Sequence, residues 1–195
     1  MGRLMRPYAK DLQGPIYYSS YASPQGTLYA AMEGPALLAI LFCEGRENFE
    51  QKLTEKFGAS ISLKSNRAPF STFFRELDSY FDGRAVAFHL SVKFYGTAFQ
   101  QRVWKAIAGI PRGQVRTYAY IAENAGRPRA CRAAAGASAA NMLPLIIPCH
   151  RVISSSGGLG GWSGGGGSKV KEGLLALEGV RLKDLKGLLR ACKER

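Results

Sequence analysis

The run Leu145-Ile146-Ile147-Pro148-Cys149-His150-Arg151-Val152 sets a thiol, an imidazole and a guanidinium at consecutive positions behind an apolar, strand-like stretch. A thiol attacks carbon as thiolate, and neighbouring cationic or basic groups raise the thiolate fraction. The chain has two histidines, His89 and His150, and one of them abuts this cysteine. The pattern points to cysteine nucleophile chemistry, with a fixed positive charge from Arg151 beside the sulfur. Cysteine hydrolases bring their histidine from a distant position, so the adjacency of His150 argues against that class.

The remaining cysteines, Cys43, Cys131 and Cys192, are widely spaced, and no CxxC pair exists. A zinc or iron–sulfur cage is therefore not expected. Residues 1–10 are short, basic and interrupted by Pro7, which does not read as a signal peptide. No apolar run reaches membrane-spanning length. The expectation is an intracellular protein, cytoplasmic or, in a eukaryote, nuclear, where a free thiol persists. Lys and Arg outnumber Asp and Glu by 27 to 14 in 195 residues. That surplus favours polyanionic partners, nucleic acid first and an anionic membrane second.

The elements that must position the cysteine fall into two parts. Residues 1–92 read as a mixed α/β unit. Strands are expected at 16–21 and 27–32 around a Ser-Pro-Gln-Gly turn, and again at 36–42 and 86–92. Helices are expected at 48–57, through Phe49, Leu53 and Phe57, and at 71–81, with Ser71 as N-cap and Asp82-Gly83 as stop. The phenylalanines of this half read as core, and nothing catalytic stands out in it.

Residues 93–195 change character. Thr97 caps a helix at 98–108, and Thr117 caps a short one at 118–125 that closes at Gly126. A third helix at 129–140 is built almost wholly of Ala, Gly, Ser and Arg. Two short helices joined by a glycine-containing turn make a helix-turn-helix pattern. A generic helical hairpin is the bland alternative. The small side chains let the third helix approach another backbone closely, and Arg132 is one of its few large ones. A glycine- and serine-rich loop follows at 154–168 with Trp162 in it. Helical periodicity resumes at 169–178, and a basic amphipathic helix is expected at 181–195.

On these residues the chain resembles the O6-alkylguanine-DNA alkyltransferases. The matching pieces are Gly-Thr-Ala-Phe-Gln at 96–100, Val-Trp at 103–104, Ile-Pro-Arg-Gly at 110–113 and Thr-Tyr at 117–118. Arg132-Ala133, Asn141, Ile-Pro-Cys-His-Arg-Val at 147–152, Gly-Gly-Trp-Ser at 160–163 and Lys-Glu-Gly-Leu-Leu-Ala-Leu-Glu at 171–178 follow in order. The resemblance implies an α/β plus α fold, in which an RNase H-like N-terminal domain supports a helical, helix-turn-helix C-terminal domain. It implies repair of double-stranded DNA by one irreversible transfer of the O6-alkyl group of a flipped guanine to Cys149. No cofactor, membrane or obligatory protein partner is implied, and the protein is expected to act as a monomer.

The resemblance also assigns roles. Cys149 is the acceptor, His150 the base acting through a water, and Glu178 the carboxylate that orients it. Asn141 braces the active-site turn, and Tyr118 assists the leaving purine. The carbonyls of Cys149 and Val152 and the amide of Ser163 are to read guanine, and Trp162 is to line the alkyl pocket. Arg132 is the finger that fills the vacated stack. Tyr118, Gln100, Ala119, Arg127 and Ser155, with Gln101 and Arg129, are the expected DNA contacts. Lys169 or Lys171 adds positive potential near the thiol. Met142 replaces the usual proline after the asparagine, and Gly164–Gly167 lengthens the lid. Two other readings remain: a non-catalytic lesion-recognition protein of the alkyltransferase-like type, which lacks this cysteine, and a transcription regulator, which an alanine-rich helix serves poorly.

Overall fold

The computed structural model describes residues 12–162, 164–185 and 187. Strands β1 (Ile16–Ser23), β2 (Gly26–Glu33) and β3 (Ala36–Phe42) form an antiparallel meander. Its second turn carries Gly34 at φ 53°, a region glycine enters without a Cβ clash. β4 (Leu63–Ser65) lies parallel to β1, and β5 (Ser91–Val92) parallel to β3, giving the order β4-β1-β2-β3-β5.

Every residue of β3 is buried, because both of its faces are covered. Leu38 and Leu41 pack with Phe49, Leu53 and Phe57 of α1 (Arg46–Phe57). Leu37, Ile40 and Phe42 belong to the main core, with Phe73, Phe74, Leu77 and Tyr80 of α2 (Ser71–Phe81). That core continues into the C-terminal half through Val103, Trp104 and Ile107 of α3 (Ala98–Ala108), Ile121 of α4 (Tyr118–Asn124) and Ala134 and Ala137 of α5 (Cys131–Ala139). The sheet and the helices thus bury their apolar faces on one another.

Thr97 caps α3 as expected, in a reciprocal box with Gln100, and the Thr117 hydroxyl accepts from Tyr120 N at the start of α4. Small residues let α5 lie close to α3, where Trp104 Nε1 donates to the Ala137 carbonyl at 2.8 Å. β6 (Arg116–Thr117) and β7 (Val152–Ile153) form a parallel pair that joins the start of α4 to the cysteine turn. α6 (Gly167–Leu177) closes the fold. Among the described residues no helix is long and apolar enough to cross a membrane.

Four expectations need correction. Ser71 does not cap α2: a 3-10 turn at Ala68–Phe70 runs straight into the helix, so Ser71 is already helical. The strand expected at 86–92 shrinks to Ser91–Val92. Val86, Phe88 and Leu90 still pack on the core, but the parallel register Ala36↔Ser91 and Leu37↔Val92 runs residues 86–90 past the start of β3, where no β3 residue is left to pair with them. The apolar run 145–148 is a turn rather than a strand, and only Val152–Ile153 are extended. α5 begins at Cys131, two residues later than expected. Of the tail helix, a 3-10 turn at Leu182–Asp184 is seen, and residues 188–195 lie outside the described chain.

Candidate active site

Cys149, His150 and Arg151 form one 3-10 turn ahead of β7. A helical turn sends successive side chains in different directions, so the three groups part company. Asn141 sets the approach: its Nδ2 donates to Ile147 O at 2.8 Å, and its Oδ1 accepts from Leu143 N at 2.9 Å. Between those anchors Leu145 takes φ 77°, a left-handed conformation that costs a branched residue energy and that the clamp must hold. Asn141 thus ties Leu143 to Ile147 on the approach to Cys149.

His150 is fully buried, and its Nε2 lies 3.0 Å from Glu178 Oε1. Facing a carboxylate, Nε2 carries the proton, which leaves the Nδ1 lone pair as acceptor. Nδ1 is buried without a protein hydrogen-bond partner among the described residues. Burial pulls the imidazole below its ordinary value, and Glu178 only partly restores it. Burial opposes ionisation of Glu178 too. Hydrogen bonds from His150 and Arg151 outweigh it and hold the carboxyl well below the usual carboxylate range.

Arg151 does not serve the sulfur. Its Nε donates to Glu178 Oε2 and its Nη2 to Oε1, each at 2.8 Å, while Nη1 donates to Ile110 O at 2.6 Å. The carboxylate sits at the C-cap of α6, where the helix dipole disfavours it, and this fork offsets that. Tyr80 of α2 adds a fourth donor, its hydroxyl 2.8 Å from Glu178 Oε1.

Cys149 is 2% exposed. Trp162 Nε1 donates to Sγ at 3.1 Å, and the Trp162 ring rests on Phe42 with centroids 5.8 Å apart. Burial pushes the Cys149 thiol up, only partly opposed by Trp162, Asn141 and Lys171. At rest the group is therefore a thiol; the expectation of a sulfur ionised by its neighbours is corrected by its burial and by the diversion of Arg151.

Of the two candidate lysines, Lys169 is exposed and Lys171 fully buried. Lys171 Nζ donates to Val152 O and Leu159 O, both at 2.6 Å. Burial brings its ammonium down to about 8, which the nearby Cys149 partly resists. The Val152 carbonyl thus accepts from Lys171, and the Cys149 carbonyl accepts from Val152 N. Ser163 lies outside the described residues. Half-buried Tyr118 opens α4; its ring lies against Gly160 of the lid, and burial raises its phenol, with Cys149 adding to the rise.

The expected DNA contacts divide. Arg132, Ala119, Arg127, Arg129 and Ser155 are exposed. Arg132 lies in the first turn of α5, whose outer face also offers only small residues: Ala133, Gly136 and Ala139. Arg127 partly stacks on Phe99 at 5.2 Å. Gln100 is otherwise engaged, its Oε1 accepting from Thr97 N in the capping box, and Gln101 Nε2 is bonded to Gly96 O. Cys43 and Cys131 are both free thiols, one buried and one exposed. Tyr80 and Phe42 also belong to the site, although in the sequence they carry no signal beyond that of core aromatics.

Two family models cover most of the chain: residues 16–94 match the ribonuclease-like domain of 6-O-methylguanine DNA methyltransferase, and residues 98–180 its DNA binding domain. A methylated-DNA–protein-cysteine methyltransferase of Methanosarcina acetivorans is 37% identical over 164 residues, covering 84% of this chain and 99% of its own. One from Mycobacterium tuberculosis is 38% identical over 166 residues, covering 85% and 94%. The crystal structure of Mycobacterium tuberculosis OGT in complex with DNA superposes with a TM-score of 0.69 at 34% identity, covering 89% of this chain and 94% of that one.

Proposed function

This chain belongs to the 6-O-methylguanine DNA methyltransferase family, and from that premise we propose how its residues carry out the reaction. The activity is that of a methylated-DNA–protein-cysteine methyltransferase, which is direct-reversal DNA repair. The finer reading is irreversible transfer of the O6-alkyl group of a flipped guanine in duplex DNA to Cys149, by a monomer that acts once.

The observation that carries this reading is the buried set Cys149, His150 and Glu178, with Nε2 on the carboxylate and Nδ1 left as acceptor. A water between Sγ and Nδ1 takes the thiol proton to His150, and Glu178 stabilises the imidazolium that results. The thiolate attacks the alkyl carbon; the S–C bond forms as the C–O6 bond breaks. The electron pair goes to the purine, which takes a proton from the Tyr118 side of the pocket. The thioether has no route back, so the protein is consumed.

The indole over Sγ marks where the damaged base must enter, so Trp162 has to move for transfer to occur. The Val152 carbonyl and the lid around Ser163 read the guanine edge, and Arg132 occupies the stack the base has left. The outer face of α5 fits a narrow groove because it presents almost no side chains. The functional division is drawn at 92/93, with α4 and α5 as the helix-turn-helix.

Intact-protein mass measured after incubation with a duplex holding one O6-methylguanine tests the reading. The expected result is one methyl group gained, confined to the Cys149 peptide. Tight lesion binding without any mass gain would move the protein to the lesion-recognition class.

A further inference from the structure

The phenol of Tyr80 comes from the sheet-bearing half of the chain, yet its hydrogen bond lands on the oxygen that faces His150. Glu178 Oε1 receives Tyr80 Oη at 2.8 Å, Arg151 Nη2 at 2.8 Å and His150 Nε2 at 3.0 Å, whereas among the described residues Oε2 receives only Arg151 Nε. The Arg151 fork and His150 already compensate the buried charge. A third donor on the same oxygen therefore does something more specific: it withdraws electron density from the acceptor that His150 uses.

The contact is also held in place. Tyr80 is buried, packs edge-on against Phe81, and lies under the Arg112 guanidinium, whose carbon is 5.4 Å from the ring centroid. Arg112 Nη2 donates to Gly83 O at 3.1 Å and to Leu177 O at 2.7 Å. One guanidinium thus straps the end of α2 to the last turn of α6, one residue before Glu178. The two helix ends form a single joint, and the phenol cannot leave without breaking it.

We propose that Tyr80 is a positioning residue that tunes the proton affinity of His150 through Glu178, making the N-terminal half a working part of the alkyl-transfer site. The inference rests on the cysteine-acceptor reading above. A carboxylate oxygen with one donor fewer is a stronger partner for an imidazolium. Loss of the Tyr80 hydroxyl then favours protonated His150, which cannot accept the thiol proton. The charged and titratable groups facing His150 and Glu178 are Tyr80 and Arg112 on one side, Cys149 and Arg151 on the turn, and Lys171 on α6. Only Tyr80 is altered in the test, so the others form a constant background.

Tyr80→Phe keeps the ring and removes the hydroxyl. The rate of transfer from O6-methylguanine duplex is measured against pH for both proteins, with duplex affinity and melting temperature as controls. The acid limb of the Tyr80→Phe profile moves to higher pH: roughly fivefold slower on that limb and unchanged on the plateau above it. In parallel the His150 imidazole, one of two in the chain, is titrated by NMR and takes up its proton at higher pH in the variant. A uniform rate loss at every pH, or an unmoved His150 titration, overturns the proposal and leaves Tyr80 as packing. Because wild type is run alongside, failure of the acceptor reading shows separately, as no methylated protein at all.

Discussion

Residues 93–195 carry seventeen Lys and Arg against five Asp and Glu, whereas residues 1–92 carry ten against nine. The basic surplus thus sits almost wholly in the half that holds the cysteine turn, α4 and α5. The near-neutral half is instead rich in stacked aromatics, such as Tyr29 on Phe49 and Phe70 on Phe74. One half holds the basic surplus and the cysteine turn; the other supplies rigid seats. The seam between them carries the β3 edge, which holds Met142 and Gly164 through backbone bonds, the Phe42 seat for Trp162, and the Tyr80 phenol on Glu178. Substitutions that lower chemistry, geometry and binding separately can test this division.

Glu178→Gln should give the largest effect. It removes the charge that stabilises imidazolium, and transfer slows about 10²- to 10³-fold, while affinity for undamaged duplex stays put. Single-turnover rates and a binding titration read the two quantities. An equal loss in both would show that Glu178 holds the fold together rather than the relay.

Gly165→Ala strikes the seam. A Cβ there would lie 1.5 Å from the Phe42 carbonyl oxygen, and Gly165 has φ 90°. The lid must lift, Trp162 loses its place over Sγ, and transfer falls about 10- to 100-fold. Reaction of Cys149 with a small thiol reagent should meanwhile become faster. If Gly165→Ala reacts like wild type with both, β3 does not seat the lid.

Much of this is legible in the sequence where the signal is local. Alternation and turn residues locate β1 to β3, caps locate α3 and α4, the adjacency of Cys149 and His150 points to the candidate site, and the resemblance to the alkyltransferases adds Asn141 and Glu178 to it. What escapes depends on neighbours distant in the chain. The strand expected at 86–92 pairs only at Ser91–Val92 because its parallel register with β3 carries residues 86–90 past the start of that strand. Tyr80 lies on the apolar face of α2, where a phenol and a phenylalanine give the same periodicity. Helical phase separates Lys169 from Lys171. Lys171 is seven residues before Glu178, on the face of α6 shared with Leu174 and Leu175, whereas Lys169 points to solvent.

Salt dependence sharpens the electrostatic side of the comparison. Each phosphate that a substitution leaves unneutralised should lower the slope of log K against log salt by about 0.9. Arg129→Gln, exposed ahead of α5, is expected to show that decrement, and Lys64→Gln, exposed in β4, none. Arg132→Ala should slow reaction on duplex about tenfold yet leave reaction with free O6-benzylguanine unchanged, because a finger acts only where there is a stack to fill. Equal losses on both substrates would count against that role.

The smallest expected effect concerns stability, and it follows from how the site is buried. His150 has its proton affinity lowered in the fold, chiefly by burial, below the ordinary value of 6.5 that it regains when unfolded. Below pH 6.5 the unfolded chain therefore binds more protons at this residue than the native one. Stability must then fall as pH drops through that window, by no more than about 1.4 kcal/mol per pH unit for a single group. Glu178 acts in the same direction lower down. Its carboxyl is held below the ordinary 4.5, so its contribution is intact above that value and declines as acid overtakes it. Urea midpoints between pH 7.5 and 5 separate the two, since the upper window lies above the Glu178 range. His150→Gln should flatten the slope between about pH 6.5 and 5; a slope unchanged by the substitution would place the acid-sensitive group elsewhere. In the proposed relay this cost has a use, because an imidazole kept neutral by burial is free to take the proton from Cys149.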